Sequence, residues 1–386
     1  MDCNLINIAE NAKARFPEIP FPHKKDEYWR FADLNAWNTD ALFPHFSIGV
    51  PESNPTGKLL EAQEGIDAPN TVAIFDGQGV SANLSSGLSI MPITQAVEKY
   101  PNEVAKFYES AIGKFDTLVS TRATGGIVFV LDNDTSAKLN LKVISKLGLS
   151  VSSILFIIGN GAKLELMRTF ATNAGSFSLT RMKFILAENA TVELATFKYS
   201  DVNAHTYLRD DFDLANSATV RDGLAELGIS PSRTERNFEV LGNDVNVDSR
   251  AFVKSSGSLT HDLRTSQMHR VGGSHSNLSV KSVVGDTARL AFMGVIRVEE
   301  DAQQTKAYQS CNSLSLSDSA KTQASPILEI MANDVECSHG CTVSKPDAEE
   351  VFYMNQRGLS EADALELITE GFARTTFEHL PFVENI

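Results

Sequence analysis

The sequence predicts a mainly β protein, a parallel β-helix flanked by helical regions at both ends. Three observations carry this expectation. From about residue 120 to 345 helical periodicity is absent, and short runs of Val, Ile, Phe, Thr and Leu alternate with small polar turns. Within that stretch "NGAKLEL" (160–166), "ENATVEL" (188–194) and "NSATVRD" (216–222) place Ala162, Ala190 and Ala218 each 28 residues apart. Helical patterns are confined to the two ends.

A fixed period means stacked rungs, each unable to bury its inward face alone. The 28-residue step continues to 246 in "GNDVNVD". A half-step of 14 then falls at 260, 274, 288 and 302, in or beside "SSGSLT", "GGSHS", "GDTARL" and "EEDAQQ". A large β-sandwich would also give short strands, but with more variable loops. The expected organisation is a mixed or helical region over 1–118, the β-helix over 119–345, and a helical region over 346–386.

The elements follow in order. "NLINIAENAKARF" carries Leu5, Ile8 and Ala12 at helical spacing. "FPHKKDEYWRFADLNAW" reads as ordered but irregular, and "TVAIFDG" (71–77) as a strand. "ITQAVEKYPNEVAKFYESAI" is helical, interrupted by Pro101. At the other end Asp347, Glu349 and Glu350 open a helix and Arg357 closes it, matching the helix dipole, with Gly358 at the C′ position. "SEAD" then gives Ser360 and Asp363 a capping-box pattern. Leu365, Ile368 and Phe372 form an apolar stripe, either packed on the chain's own core or offered to a partner.

Composition excludes several classes. The net charge of −15 and pI near 5.0 argue against a broad nucleic-acid surface or an anionic membrane surface. No apolar run approaches the roughly 20 residues that span a bilayer; "ILFII" is the best stretch. The N-terminus lacks the pattern of a signal peptide. Four cysteines in 386 residues are no disulfide framework and suggest free thiols in a reducing cytoplasm. Neither a phosphate-binding G-x-x-x-x-G-K-[ST] loop nor a G-x-S-x-G elbow is present.

The chemistry concentrates in "NDVECSHGCTV" (333–343), where Cys337, His339 and Cys341 alternate. On an extended strand they share one face. Cys337 and Cys341 would lie about 13 Å apart, too far for one ion, and neighbours two apart about 6.6 Å. Gly340 could bend the chain, but C-x-H-x-C is not a zinc spacing. Any metal would be held openly, by one or two of these residues plus ligands from elsewhere; taken alone, the thiols read as buried or incidental. Cys311 lies 28 residues before His339, so the two could occupy corresponding places on stacked coils. His261, His269 and His275 have no metal-ligand spacing and read as surface or turn residues. A β-helix enzyme acting on polysaccharides would need an acidic cluster. Asp210, Asp211 and Asp213 in "RDDFD" could serve, though they read better as a solvated turn.

"TSQMHRVGGSHSNLSVKSVV", "AFMGVIRVEEDAQQTKAYQSCNSLSLSDSAKTQASPILEI", "ANDVECSHGCTV" and "FYMNQRGLSEADALELITEGFA" resemble the SufB/SufD family of iron–sulfur cluster assembly proteins, densely from about 262 to 382. Length and "EYWRFADL" resemble its SufD branch. SufD chains typically read Cys-x-His-Gly-Ala, matched here by Cys337, His339 and Gly340, with Cys341 in place of Ala. Where SufB chains carry Glu-His-Glu, this one has Ser338-His339-Gly340, yet Cys311 stands where SufB chains carry a cysteine. The resemblance implies a right-handed parallel β-helix with helical terminal regions. It implies a non-catalytic scaffold subunit that pairs with SufB and docks the ATPase SufC on the C-terminal helices bearing Leu365, Ile368 and Phe372; in isolation a homodimer is a further option. A transient iron–sulfur cluster would be shared with SufB at the junction of the two β-helices. His339 matches the residue proposed to act there, with Cys337, Cys311 and Cys341 as candidate thiol ligands. Family complexes are also linked to a reduced flavin, although this chain shows no flavin motif.

Overall fold

A computed structural model describes residues 4–23, 25–34, 59–60, 70–77, 79–84, 87–109, 113–146, 148–380 and 382–383. Lys24, residues 35–37 of the irregular aromatic segment, the "SAI" that ends the second helical pattern and Cys3 lie outside the described residues.

The chain winds into a β-solenoid. Two parallel sheets take alternate strands, and between 127 and 344 each contributes eight parallel strands among the described residues. Most strands are ten residues long, and they pair in register with the strand one coil away. Lys163 thus faces Thr191, and Thr191 faces Thr219, the 28-residue step of the repeat. The step then drifts: Thr219 faces Asn246, Asn246 faces His275, His275 faces Lys306 and Lys306 faces Glu336. The half-step arises because each coil carries one strand in each sheet.

The repeated alanines sit where the coil turns inward. Ala162, Ala190 and Ala218 are fully buried. The residue before each has positive φ: Gly161 at 63°, Asn189 at 58° and Ser217 at 55°. Left-handed backbone is cheap for Gly and tolerable for Asn, which explains the small polar turns of the repeat. Small residues at these corners let one coil settle on the next.

Inside, strand alternation sends every second residue to the core. Leu164, Leu166, Val192, Leu194 and Val220 fill it from one sheet. From the other, Phe129, Phe156, Phe184, Phe212 and Phe238 stack with ring centroids 4.7, 4.7, 4.7 and 4.8 Å apart. That is the inter-strand spacing itself, so each coil adds one ring to a continuous ladder. The N-terminal end is covered. Helices Leu5–Arg15, Ile93–Lys99 and Pro101–Glu109 bury Leu5, Ala9, Ile93, Val104 and Phe107 against the outward-facing Val128, Val130 and Leu155. Trp29 and Leu34 of the aromatic segment pack on the outer face through Phe115 and Tyr207.

Two sequence expectations fail here. The acids of "RDDFD" are no solvated turn: Asp210, Asp211 and Asp213 are buried within the His205–Leu214 strand. Asp210 points inward and takes both guanidinium nitrogens of Arg168 at 2.7 Å, while Asp213 holds Lys183 at 2.7 Å on the outer face. Nor are His261 and His269 surface residues. Both point into the solenoid, His261 Nδ1 beside Ser255 Oγ at 3.0 Å and His269 Nε2 beside Ser276 Oγ at 2.8 Å. Long inward polar side chains read as turn residues in sequence because their partners come from other strands, 6 to 42 residues away.

Helices Ala348–Gln356 and Glu361–Arg374 follow the last strand. Asp347 caps the first, and Ser360 and Asp363 form the expected capping box on the second. Gly358 has φ of 91°, as its place after the first helix requires.

Candidate functional site

The candidate residues Cys337, His339 and Cys341 lie where the solenoid stops. Glu336–Ser344 is the last strand of one sheet and Lys321–Ile330 the last of the other, so both have one unpaired edge among the described residues. Among the described residues no further coil stacks on them, and the Glu336–Ser344 strand is almost wholly exposed although it carries the same face as the core.

The register fixes what lies beneath each residue. Cys337 faces Ala307, His339 faces Gln309 and Cys341 faces Cys311. Ala307, Gln309 and Cys311 are buried inward residues, so Cys337, His339 and Cys341 continue the inner face at the open mouth. This corrects the expected stacking of Cys311 under His339. The coil between them holds 30 residues rather than 28, because the turns after Ser315 and Ile330 are each one residue longer, and the partner of Cys311 becomes Cys341. Gly340 does not bend the chain; the strand runs through it.

The sulfurs differ in environment. Cys311 is buried among Val280, Leu290 and Phe292. Burial pushes its thiol up to about 12, with the neighbouring Cys341 adding to the rise. Cys337 is half-buried beside Ala307, Ile296 and Val298, and burial raises its thiol as well. Cys341 is exposed. Gln309, which sequence reasoning passed over, lies directly under His339 and donates from Nε2 to the Gly294 carbonyl at 3.1 Å. Only the 30-residue register would have pointed to it. The strand is steadied at both ends: Glu336 accepts from Lys306 Nζ at 2.8 Å and from Tyr308 Oη at 3.2 Å, and Thr342 donates to Asn312 Oδ1 at 2.6 Å.

Among the described residues no three His, Cys, Asp or Glu side chains come close enough to hold a metal ion. In-register neighbours on adjacent strands lie about 4.8 Å apart, so Cys311 and Cys341 are within reach of one another, whereas Cys337 sits about 13 Å along the strand from Cys341. The mouth therefore offers soft sulfur and imidazole donors in an unfinished arrangement. The acids that a polysaccharide enzyme would need open on a face are instead consumed in buried ion pairs.

On the C-terminal helices the predicted stripe is half-buried. The Phe372 ring lies under Lys281 Nζ at 4.7 Å, and Leu365 and Ile368 share that side, next to the buried Ala364 and Thr369. The apolar residues left open are Phe352, Tyr353 and Leu367, exposed by 63%, 59% and 50%. No helix among the described residues is long and apolar enough to cross a membrane.

Stacked coils in two parallel sheets, with Cys337, His339 and Cys341 on the last strand, define a class, the parallel β-solenoid. Residues 143–372, more than half of the chain, match the family model for the SUF system FeS cluster assembly, SufBD core domain. The chain belongs to this SufBD family of iron–sulfur cluster assembly proteins. It is 38% identical over 119 residues to the iron–sulfur cluster assembly protein SufD of Escherichia coli, covering 31% of this chain and 28% of that one. A SufBD family protein of Synechocystis is 40% identical over 101 residues, covering 26% and 22%. SufD of Bacillus subtilis is 28% identical over 148 residues, covering 38% and 34%. The matched stretch thus spans about a third or less of each relative's own length.

Proposed function

We propose that this chain is a SufD-like, non-catalytic subunit of an iron–sulfur assembly scaffold in the cytoplasm. It pairs with SufB through its open β-solenoid end and docks the ATPase SufC on its C-terminal helices. The observation that supports this best is the row Cys337, His339, Cys341 on the inner face of a coil that no described residue covers, with Cys311 one coil beneath. Iron and sulfide are cargo here. A scaffold must release its cluster, so an unfinished ligand set completed by a partner suits the task better than a closed shell. Thiolate and imidazole are the donors iron–sulfur chemistry uses.

His339 takes the ligand role because it is exposed at the mouth and needs no rearrangement. Cys311 and Cys341 are the thiols one ion could reach together, and Cys337 is auxiliary. The raised Cys311 and Cys337 thiols hold protons at neutral pH, so iron binding would release them. Phe352, Tyr353 and Leu367, with the helix of Leu365, Ile368 and Phe372, form the SufC-facing surface. ATP binding by SufC would move these helices and shift the junction between open and closed populations. We assign no residue of this chain to a reduced flavin.

The test is His339→Ala, followed by co-purification of SufB and SufC and by the activity of cluster-dependent enzymes in the same cells. Intact complex with lost cluster supply is the expected result. Intact complex with unchanged supply would make the chain a structural spacer for SufB.

A further inference from the structure

The open end sets two thiols side by side. Residues in register on adjacent parallel strands carry their side chains on one face, with Cα atoms about 4.8 Å apart. A disulfide spans Cα separations of roughly 4.4–6.8 Å. Cys311 and Cys341 form such a pair. Cys341 is exposed and Cys311 lies buried behind it, so one thiol meets reagents from solvent and the other stands ready to resolve what forms. Cys337 faces Ala307 instead and has no thiol across the strand. The strand runs straight through Gly340 without a turn: both cysteines sit inside ten- and nine-residue strands that hold the register from Lys306 to Leu314.

We propose that Cys311 and Cys341 are a reversible dithiol–disulfide modification site that staples the last coil to the one before it and withdraws both sulfurs from the mouth. The co-reactant is a low-molecular-weight disulfide. The Cys341 thiolate attacks one of its sulfurs, the small S–S bond breaks, and one small thiolate leaves. Cys311 then gives up its proton to solvent and attacks the Cys341 sulfur, expelling the second small thiolate. Two protein thiols are oxidised by two electrons, and one small disulfide is reduced to two thiols. Excess small thiol runs the sequence backwards. The reaction takes place on the chain before a partner covers Cys341. That oxidation blocks cluster building rests on the scaffold reading above; the bond itself does not.

The experiment uses the full-length, iron-free, reduced chain. It is treated with excess oxidised glutathione, the remaining thiols are capped with a maleimide, and the cysteines are mapped by peptide mass spectrometry. The expected result is a Cys311–Cys341 crosslink, a fall of two in the four capped cysteines, and full recovery with dithiothreitol. In Cys341→Ser, which changes an exposed side chain, Cys311 stays reduced. A lasting glutathione adduct on Cys341 with Cys311 still capped, or a bond through Cys337, overturns the proposal. Iron–sulfur reconstitution on the same samples separates the two readings. Uptake lost on oxidation and regained on reduction supports the switch, and equal uptake by both forms overturns it. A crosslink that forms while neither form takes up iron leaves the modification site standing and counts against the scaffold reading.

Discussion

His269 shows what one buried residue does to the stability of this fold. It sits inside the solenoid with Ser276 as its hydrogen-bonding neighbour. Burial, helped by His275, lowers its pKa from 6.5 to about 4. Between those values the unfolded chain binds a proton that the native state refuses, so stability falls as pH drops through that window. The loss from this group reaches about 3 kcal/mol once pH is below about 4. Urea midpoints at pH 7 and pH 4.5 test this: His269→Gln should lose about 2–3 kcal/mol less than the parent chain over that interval. The opposite outcome, equal acid sensitivity, would mean that the ring is solvated. At the mouth the same physics acts on sulfur, since burial raises the pKa of the Cys311 thiol to about 12.

At the scale of elements, the Phe ladder and the C-terminal caps make separable contributions. Phe184 is stacked between Phe156 and Phe212 and is fully buried. Phe184→Ala should cost about 3–5 kcal/mol, read as a drop in the denaturant midpoint, because rings above and below cannot close the gap while strand spacing is fixed. Ser360→Ala removes the acceptor for the Asp363 N–H at 3.1 Å and half of the capping box. It should cost about 1 kcal/mol locally, seen as faster amide exchange in Glu361–Arg374, with the solenoid unchanged. The helix existed in the sequence through its caps and its stripe. Which of its residues stayed open was settled by packing, since Phe372 turns to Lys281 and leaves Leu367 outside.

For the whole molecule, the two ends of the solenoid are not equivalent. One is closed by helices and antiparallel strands; the other ends in two edge strands that carry core-type residues with no further strand over them among the described residues. Amide exchange should therefore be slow through the coils between Ile127 and Val298 and markedly faster in Lys321–Ile330 and Glu336–Ser344. On the proposed pairing, adding SufB should slow exchange in those last two strands and leave the covered end unaltered. Unpaired edges are ordinarily blunted or covered because they template association. An open one at the thiol row is what a subunit awaiting its partner would present.

The sequence by itself determined the class of fold, the coil repeat, the terminal helices with their caps, and the cluster of donors in "ECSHGC". Each of these is local or periodic: residue alternation, small residues at the turns, and capping patterns are written within one coil. Tertiary structure alone decided the pairings between coils. A change of one or two residues in turn length, invisible in a count of 28, placed Cys341 rather than His339 over Cys311. The fold also brings Asp210 and His269 inside to meet partners on other strands, Arg168 42 residues away and Ser276 seven. In a solenoid the strand pattern sets which face a residue takes, but accumulated turn lengths set which neighbour it meets, and the chemistry of the mouth depends on the neighbour.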